Sequence, residues 1–135
     1  MDNMVTETGG VVNDPELKFL NSGAAAVKFS IAVDNGYMKD GAWQKKVSFF
    51  DVVAYNKLAE NAANTLKKGM RTCVTGKLEQ RSWDTPDGKR YVIEIVADDI
   101  SVSLKFVTAN IHRGESAGAP STSSARRPAP DDYEF

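Results

Sequence analysis

AAVKFSIAV (Ala25–Val33) and KVSFFDVVAY (Lys46–Tyr55) are the stretches that decide the fold. The first is apolar at every second position, Ala25, Val27, Phe29, Ile31 and Val33, with Lys28 and Ser30 between: a strand of period two. The second is apolar on both parities. Val47, Phe49, Val53 and Tyr55 accompany Asp51 on one, and Phe50, Val52 and Ala54 form the other. A small barrel buries only one of these sets, so if Phe50, Val52 and Ala54 point inward, Phe49 and Tyr55 lie outside. Further along, Met70–Leu78 and Tyr91–Ala97 read as strands, the latter with Tyr91, Ile93 and Ile95 on one face and Glu94 on the other. Between them Thr85-Pro86-Asp87-Gly88 is a turn, with proline preset for its second position and glycine for positive φ. One helix is expected over Lys57–Lys68, capped by Asn56, buried along Leu58, Ala62 and Leu66, and ended by Gly69. Ile100, Val102, Leu104 and Phe106 give a final strand, continued by Val107–Ile111.

Three strands, a helix and two strands, with a C-terminal strand extension, are the plan of an all-β domain with one helix. The architecture expected is a five-stranded OB-type Greek-key barrel. The chain has 135 residues, 41% apolar and 26% charged, which suits one globular domain and little else. That domain should occupy residues 1–113. In Gly114–Pro130, 13 of 17 residues are Ala, Ser, Gly or Pro, too little apolar surface to offset ordering entropy, so a disordered linker is expected. It leads into DDYEF (Asp131–Phe135), an acidic tip with two aromatic rings.

Composition also excludes classes of function. No run approaches the roughly 18 apolar residues of a membrane span, and MDNMVTETGG has no signal-peptide core. A lone Cys73 leaves no internal disulfide and suits a reducing, cytoplasmic setting. With His112 the only histidine, a Cys/His zinc site within one chain is excluded too. Phosphate-loop and nucleophile-elbow motifs are absent, and the adjacent Asp98 and Asp99 point to opposite faces of a strand. No catalytic residue, metal or cofactor is expected. Net charge is −1; residues 114–135 set Arg126 and Arg127 against four carboxylates, leaving 15 basic and 14 acidic side chains in 1–113. Charge alone therefore names no polyanionic partner.

The aromatic residues carry more information. Tyr37, Trp43, Phe49, Phe50, Tyr55, Trp83 and Tyr91 exceed what so small a barrel needs inside, and Lys39, Lys45, Lys46, Arg81, Lys89 and Arg90 lie among them. Exposed rings between cations suit single-stranded nucleic acid, because every base has a π-face to stack and the cations follow the backbone. The same rings would also serve a subunit interface, as in an OB-fold assembly module, and the pattern does not choose between the two. A small nuclease is a distant third reading.

DPELKF (Asp14–Phe19), SGAAAVKFSIAV (Ser22–Val33), FDVVAYNKLAENAANTLKKG (Phe50–Gly69), VTGKLEQRSW (Val74–Trp83) and DGKRYVIEIVADDI (Asp87–Ile100) follow one another in an order and spacing that resemble bacterial single-stranded DNA-binding proteins of the homotetrameric OB-fold family. The resemblance implies base-stacking roles for Tyr37, Phe49, Tyr55 and Trp83, and phosphate contacts for Lys57, Lys68 and Arg81. No stacking position of the family falls on Trp43. DISVSLKFVTANIHR (Asp99–Arg113) is similar to the actinobacterial branch, where an extra strand clasps a neighbouring subunit. A bacteriophage copy fits as well. Asp131, Asp132, Tyr133, Glu134 and Phe135 correspond to the family's partner-binding tip, which implies replication, recombination and repair proteins as partners. Asp51 stands where some members carry a DNA-contacting basic residue, Glu134 where proline is usual.

Overall fold

Alternation in the third strand builds the core. Ala25, Val27, Phe29, Ile31 and Val33 are all buried, while Lys28 and Asp34 face outward. This strand is one of eight in the computed structural model, which describes residues 1–113; the expected linker (114–130) and tip (131–135) lie outside the described residues. The elements are β1 (Val5–Val11), β2 (Glu16–Phe19), β3 (Ala25–Asp34), β4 (Tyr37–Lys39), β5 (Ala42–Gln44), β6 (Val47–Tyr55), α1 (Asn56–Thr65), β7 (Arg71–Thr85) and β8 (Gly88–Val102). Hydrogen bonding orders the main sheet β1-β7-β8-β6-β3-β2, and β1 also pairs with β3. The five long strands therefore close on themselves, with β2 added outside β3. Closure rests on Gly10 opposite Ala32 and Val11 opposite Ile31, and on a parallel contact between β6 and β8 from Asp51–Glu94 to Val53–Val96. This is the expected all-β OB barrel with one helix.

Phe50, Val52 and Ala54 take the inner parity of β6, joining Phe29, Ile31, Val74 and Ile95 in the core. Helix α1 plugs one end of the barrel with Ala59 and Ala62, and Leu66 follows in extended conformation, its N–H bonded to the Ala62 carbonyl at 2.8 Å. The helix is thus shorter than Lys57–Lys68, and its start differs. Tyr55 holds the N-cap position, no side chain caps the helix, and Asn56 is its first residue with φ +62°. Asparagine's tolerance of left-handed backbone serves the sharp turn out of β6 instead of a cap. Cys73 is half-buried on β7 rather than enclosed.

The two expected strands at 91–97 and 100–106 are one strand, β8, and it stops at Val102. Its partner β7 runs out there: Thr72 pairs with Val102, and the Ser103 N–H reaches the Arg71 carbonyl at 2.9 Å. The β7–β8 ladder ends at that pair, although Leu104 and Phe106 keep the alternation. Residues 106–113 contain no helix or strand, so the expected strand extension does not form among the described residues.

Beyond the barrel wall β7 and β8 continue as a projecting hairpin that turns at Thr85–Gly88. Of the face shared by Tyr91, Ile93 and Ile95 only Ile95 reaches the core, and the other two are exposed. The ladder shifts register at Thr75/Gly76, and a Cβ on Gly76 would overlap the Val96 carbonyl. Gly76→Ala should therefore lower stability by about 1–3 kcal/mol. Gly10, whose Cβ would meet nothing, should tolerate alanine within about 0.5 kcal/mol. Urea unfolding midpoints of the two variants check this.

Candidate nucleic-acid interface

The parity that the core rejects makes the barrel's outer face. On β6 it carries Phe49, Asp51, Val53 and Tyr55, opposite Ala32, Ser30, Lys28 and Ala26 of β3. Glu94 of β8 lies beside Asp51 and opposite Glu79 of β7, so the same face continues through Val92 with Arg81 and Arg90 with Trp83. Phe49 is 66% exposed, Tyr55 45% and Trp83 45%. Three rings from three positions along two strands are thus presented on one surface.

Electrostatics at the centre of this face turn on Glu94. Arg81 grips it through two bonds, Nε to Oε1 at 3.0 Å and Nη2 to Oε2 at 3.1 Å, and Lys28 Nζ stands 3.6 Å from Oε2. The Glu94 side chain is only 5% exposed. The hydrogen bond from Arg81, together with the charges of Arg81 and Lys28, holds the carboxyl below its ordinary range against the opposing effect of burial. Reciprocally, the hydrogen bond to Glu94 and that carboxylate's charge raise Arg81 above its usual value, with Tyr55 adding a smaller push in the same direction. The guanidinium also lies 5.6 Å from the centre of the Trp83 ring, within cation–π range. Next to this cluster, Asp51 Oδ1 accepts a 2.8 Å hydrogen bond from Ser30 Oγ.

The structure gathers Phe49, Tyr55, Trp83 and Arg81 from the expected set. Lys57 sits beside Tyr55 in the first turn of α1 and pairs with Glu60 at 3.6 Å. Lys68 lies past the helix, where its backbone N–H donates to Asp14 Oδ1 at 2.8 Å. Neither shares the strand face. Tyr37 is on β4, paired with Gln44, on the parity opposite to that of Phe49. Lys28 and Glu94 had no role in the sequence reading. The only signal was an acid at the centre of an apolar strand, with nothing to say which cation would meet it.

A closed Greek-key barrel presenting rings and cations on one outer face defines an OB-fold nucleic-acid-binding module. Comparison with known proteins narrows this class. The Single-strand binding protein family matches residues 2–103. The single-stranded DNA-binding protein of Corynebacterium glutamicum is 40% identical, over 87% of this chain and 54% of that protein. That of Mycobacterium tuberculosis is 37% identical, over 96% of this chain and 80% of its own length. The chain thus spans about half the length of the first relative and four fifths of the second. A crystal structure of the small single-stranded DNA-binding protein from Streptomyces coelicolor superposes with a TM-score of 0.64 at 30% identity, covering 77% of this chain and 97% of that one. The chain belongs to the single-strand binding protein family, bacterial type and actinobacterial branch, whose members are non-catalytic DNA-binding proteins.

Glu94 has a lowered value in the folded state, so its contribution to stability is complete above the ordinary carboxylate range. It is lost as pH falls through the lower folded value. Unfolding midpoints measured from about pH 6 down to pH 3 should therefore decline, and Glu94→Gln should flatten part of that decline while lowering stability at neutral pH. An unchanged acid limb in Glu94→Gln contradicts the assignment.

Proposed function

We propose that this chain coats transiently exposed single-stranded DNA, with little sequence preference, during replication, recombination and repair. The observation that carries the reading is the exposure of Phe49, Tyr55 and Trp83 together with Arg81 on one face of the barrel. Bases stack on these rings and on Tyr37, each stacked base contributing about 1–3 kcal/mol. Lys57, Lys68 and Arg81 neutralise phosphates. Glu94 occupies Nε and Nη2 of Arg81, which leaves Nη1 for a phosphate oxygen. Sequence tolerance follows from the chemistry, since stacking and charge neutralisation read no base edge. Each chain offers few phosphate contacts, so tight binding calls for several chains on one strand, and the proposal includes a homotetramer. Asp131–Phe135 recruit partner proteins of DNA maintenance, the three carboxylates steering their approach. The setting is the cytoplasm, at the nucleoid or the replication fork.

Four measurements test this reading. Adding oligo-dT should quench tryptophan fluorescence, and duplex of the same length should not; no quenching favours an assembly module instead. Trp83→Ala should weaken single-strand binding by about 5- to 150-fold. Light scattering should return a mass near four times 14.7 kDa without DNA, and a stable monomer rejects the tetramer. Deleting Asp131–Phe135 should abolish pull-down of maintenance proteins, leaving single-strand affinity unchanged or slightly raised at low salt.

A further inference from the structure

The β4–β5 arm continues the barrel wall. In the β3–β6 ladder Asp34 pairs with Val47, and in the arm Tyr37 pairs with Gln44, Met38 with Trp43 and Lys39 with Ala42, all in one unbroken register. The junction is bonded too, the Asn35 N–H reaching the Lys46 carbonyl at 2.8 Å. Parity is therefore conserved from the barrel to the arm tip, and Trp43 falls on the surface of Phe49 and Tyr55, with Lys45 between Trp43 and Phe49. Position 36 gives an independent check. A Cβ built there would run into the six-membered ring of Trp43, so the indole lies over Gly36 on that same outer side. The indole is thus braced against the backbone at Gly36, yet the residue is 59% exposed. Trp43, Phe49 and Tyr55 stand six residues apart, about 20 Å for each interval along a strand. Lys39, Lys45 and Lys46 form no ion pair with any other described residue.

We infer that the Trp43 indole, seated on Gly36, is a further base-stacking platform of the single-strand interface, with Lys45 holding the adjoining phosphate. The inference rests on the single-strand function proposed above. A braced ring loses little freedom when a base stacks on it, and the flanking cations pair with no carboxylate among the described residues. Continuity with the outer face makes the occupant a nucleotide of the same strand that meets Phe49.

The chain has two tryptophans, so each can be made the sole reporter. In Trp83→Phe, oligo-dT should quench the remaining Trp43. In Trp43→Phe the same titration reports Trp83, and anisotropy of labelled oligo-dT reports binding in every variant. Trp43→Ala should weaken binding about 5- to 150-fold, and Gly36→Ala, which fills the indole's seat at a half-buried site, should reproduce part of that loss. If Trp83 is quenched while Trp43 is not, or if Trp43→Ala binds like the parent, the platform is overturned and the single-strand function stands. If anisotropy detects no binding by the unmutated protein, both fall together.

Discussion

A sheet closed into so small a barrel has room inside for one parity of each strand, and the rest of the molecule follows from that constraint. β6 brings large apolar groups on both parities; Phe50, Val52 and Ala54 go in, so Phe49 and Tyr55 must stay out. Two exposed rings on a central strand cost solubility and aggregation resistance, which a fold with no use for them would not retain. Because register ties β3, β6, β8 and β7 together, the same sorting fixes the neighbours of those rings as Lys28, Glu94, Arg81 and Trp83. The site is the remainder of the core-forming choice.

Its electrostatics are restrained. Asp51 and Glu94 adjoin one another in register, and Glu94 draws Arg81 and Lys28 onto itself. The strand face is therefore locally near neutral at its centre, and the arm adds lysines that form no ion pair among the described residues. Affinity on such a surface leans on the rings more than on net charge, which agrees with an overall −1. Arg81, held at both Nε and Nη2, is also a fixed neighbour for the Trp83 indole, so charge and ring are positioned by one carboxylate.

The period of two was legible in β3, where one face is buried, but not in β1, whose two glycines interrupt the apolar pattern; the turn at Thr85–Gly88 was legible from its proline and glycine. The arm was not, because β4 and β5 are three residues each and bury nothing, leaving no alternation to detect. Its one signal was Asp40-Gly41, with φ of +52° and +78°, the residue pair that a two-residue hairpin turn requires. The strand expected over 100–106 was over-read for the opposite reason. Alternation persists past Val102, but a strand needs a partner as well as a pattern, and β7 begins only at Arg71. Asn56 misled because the residue type that caps helices also tolerates positive φ, and only tertiary context decides which property is used. Glu94 was visible as an oddity and its partners were not, since pairing across 13 positions is set by the hairpin's register.

The constant register from barrel to arm has a consequence for how the protein can change length. Adding one residue to each strand of the arm, between Phe49 and its tip, would swing Trp43 to the opposite surface and bring the tyrosine side around in its place. Adding two to each strand would restore the original face and move the ring outward by about 7 Å. Relatives or engineered forms that keep an arm aromatic on the barrel's outer surface should therefore differ in arm length by even steps per strand. Odd steps should survive only where a bulge resets the phase.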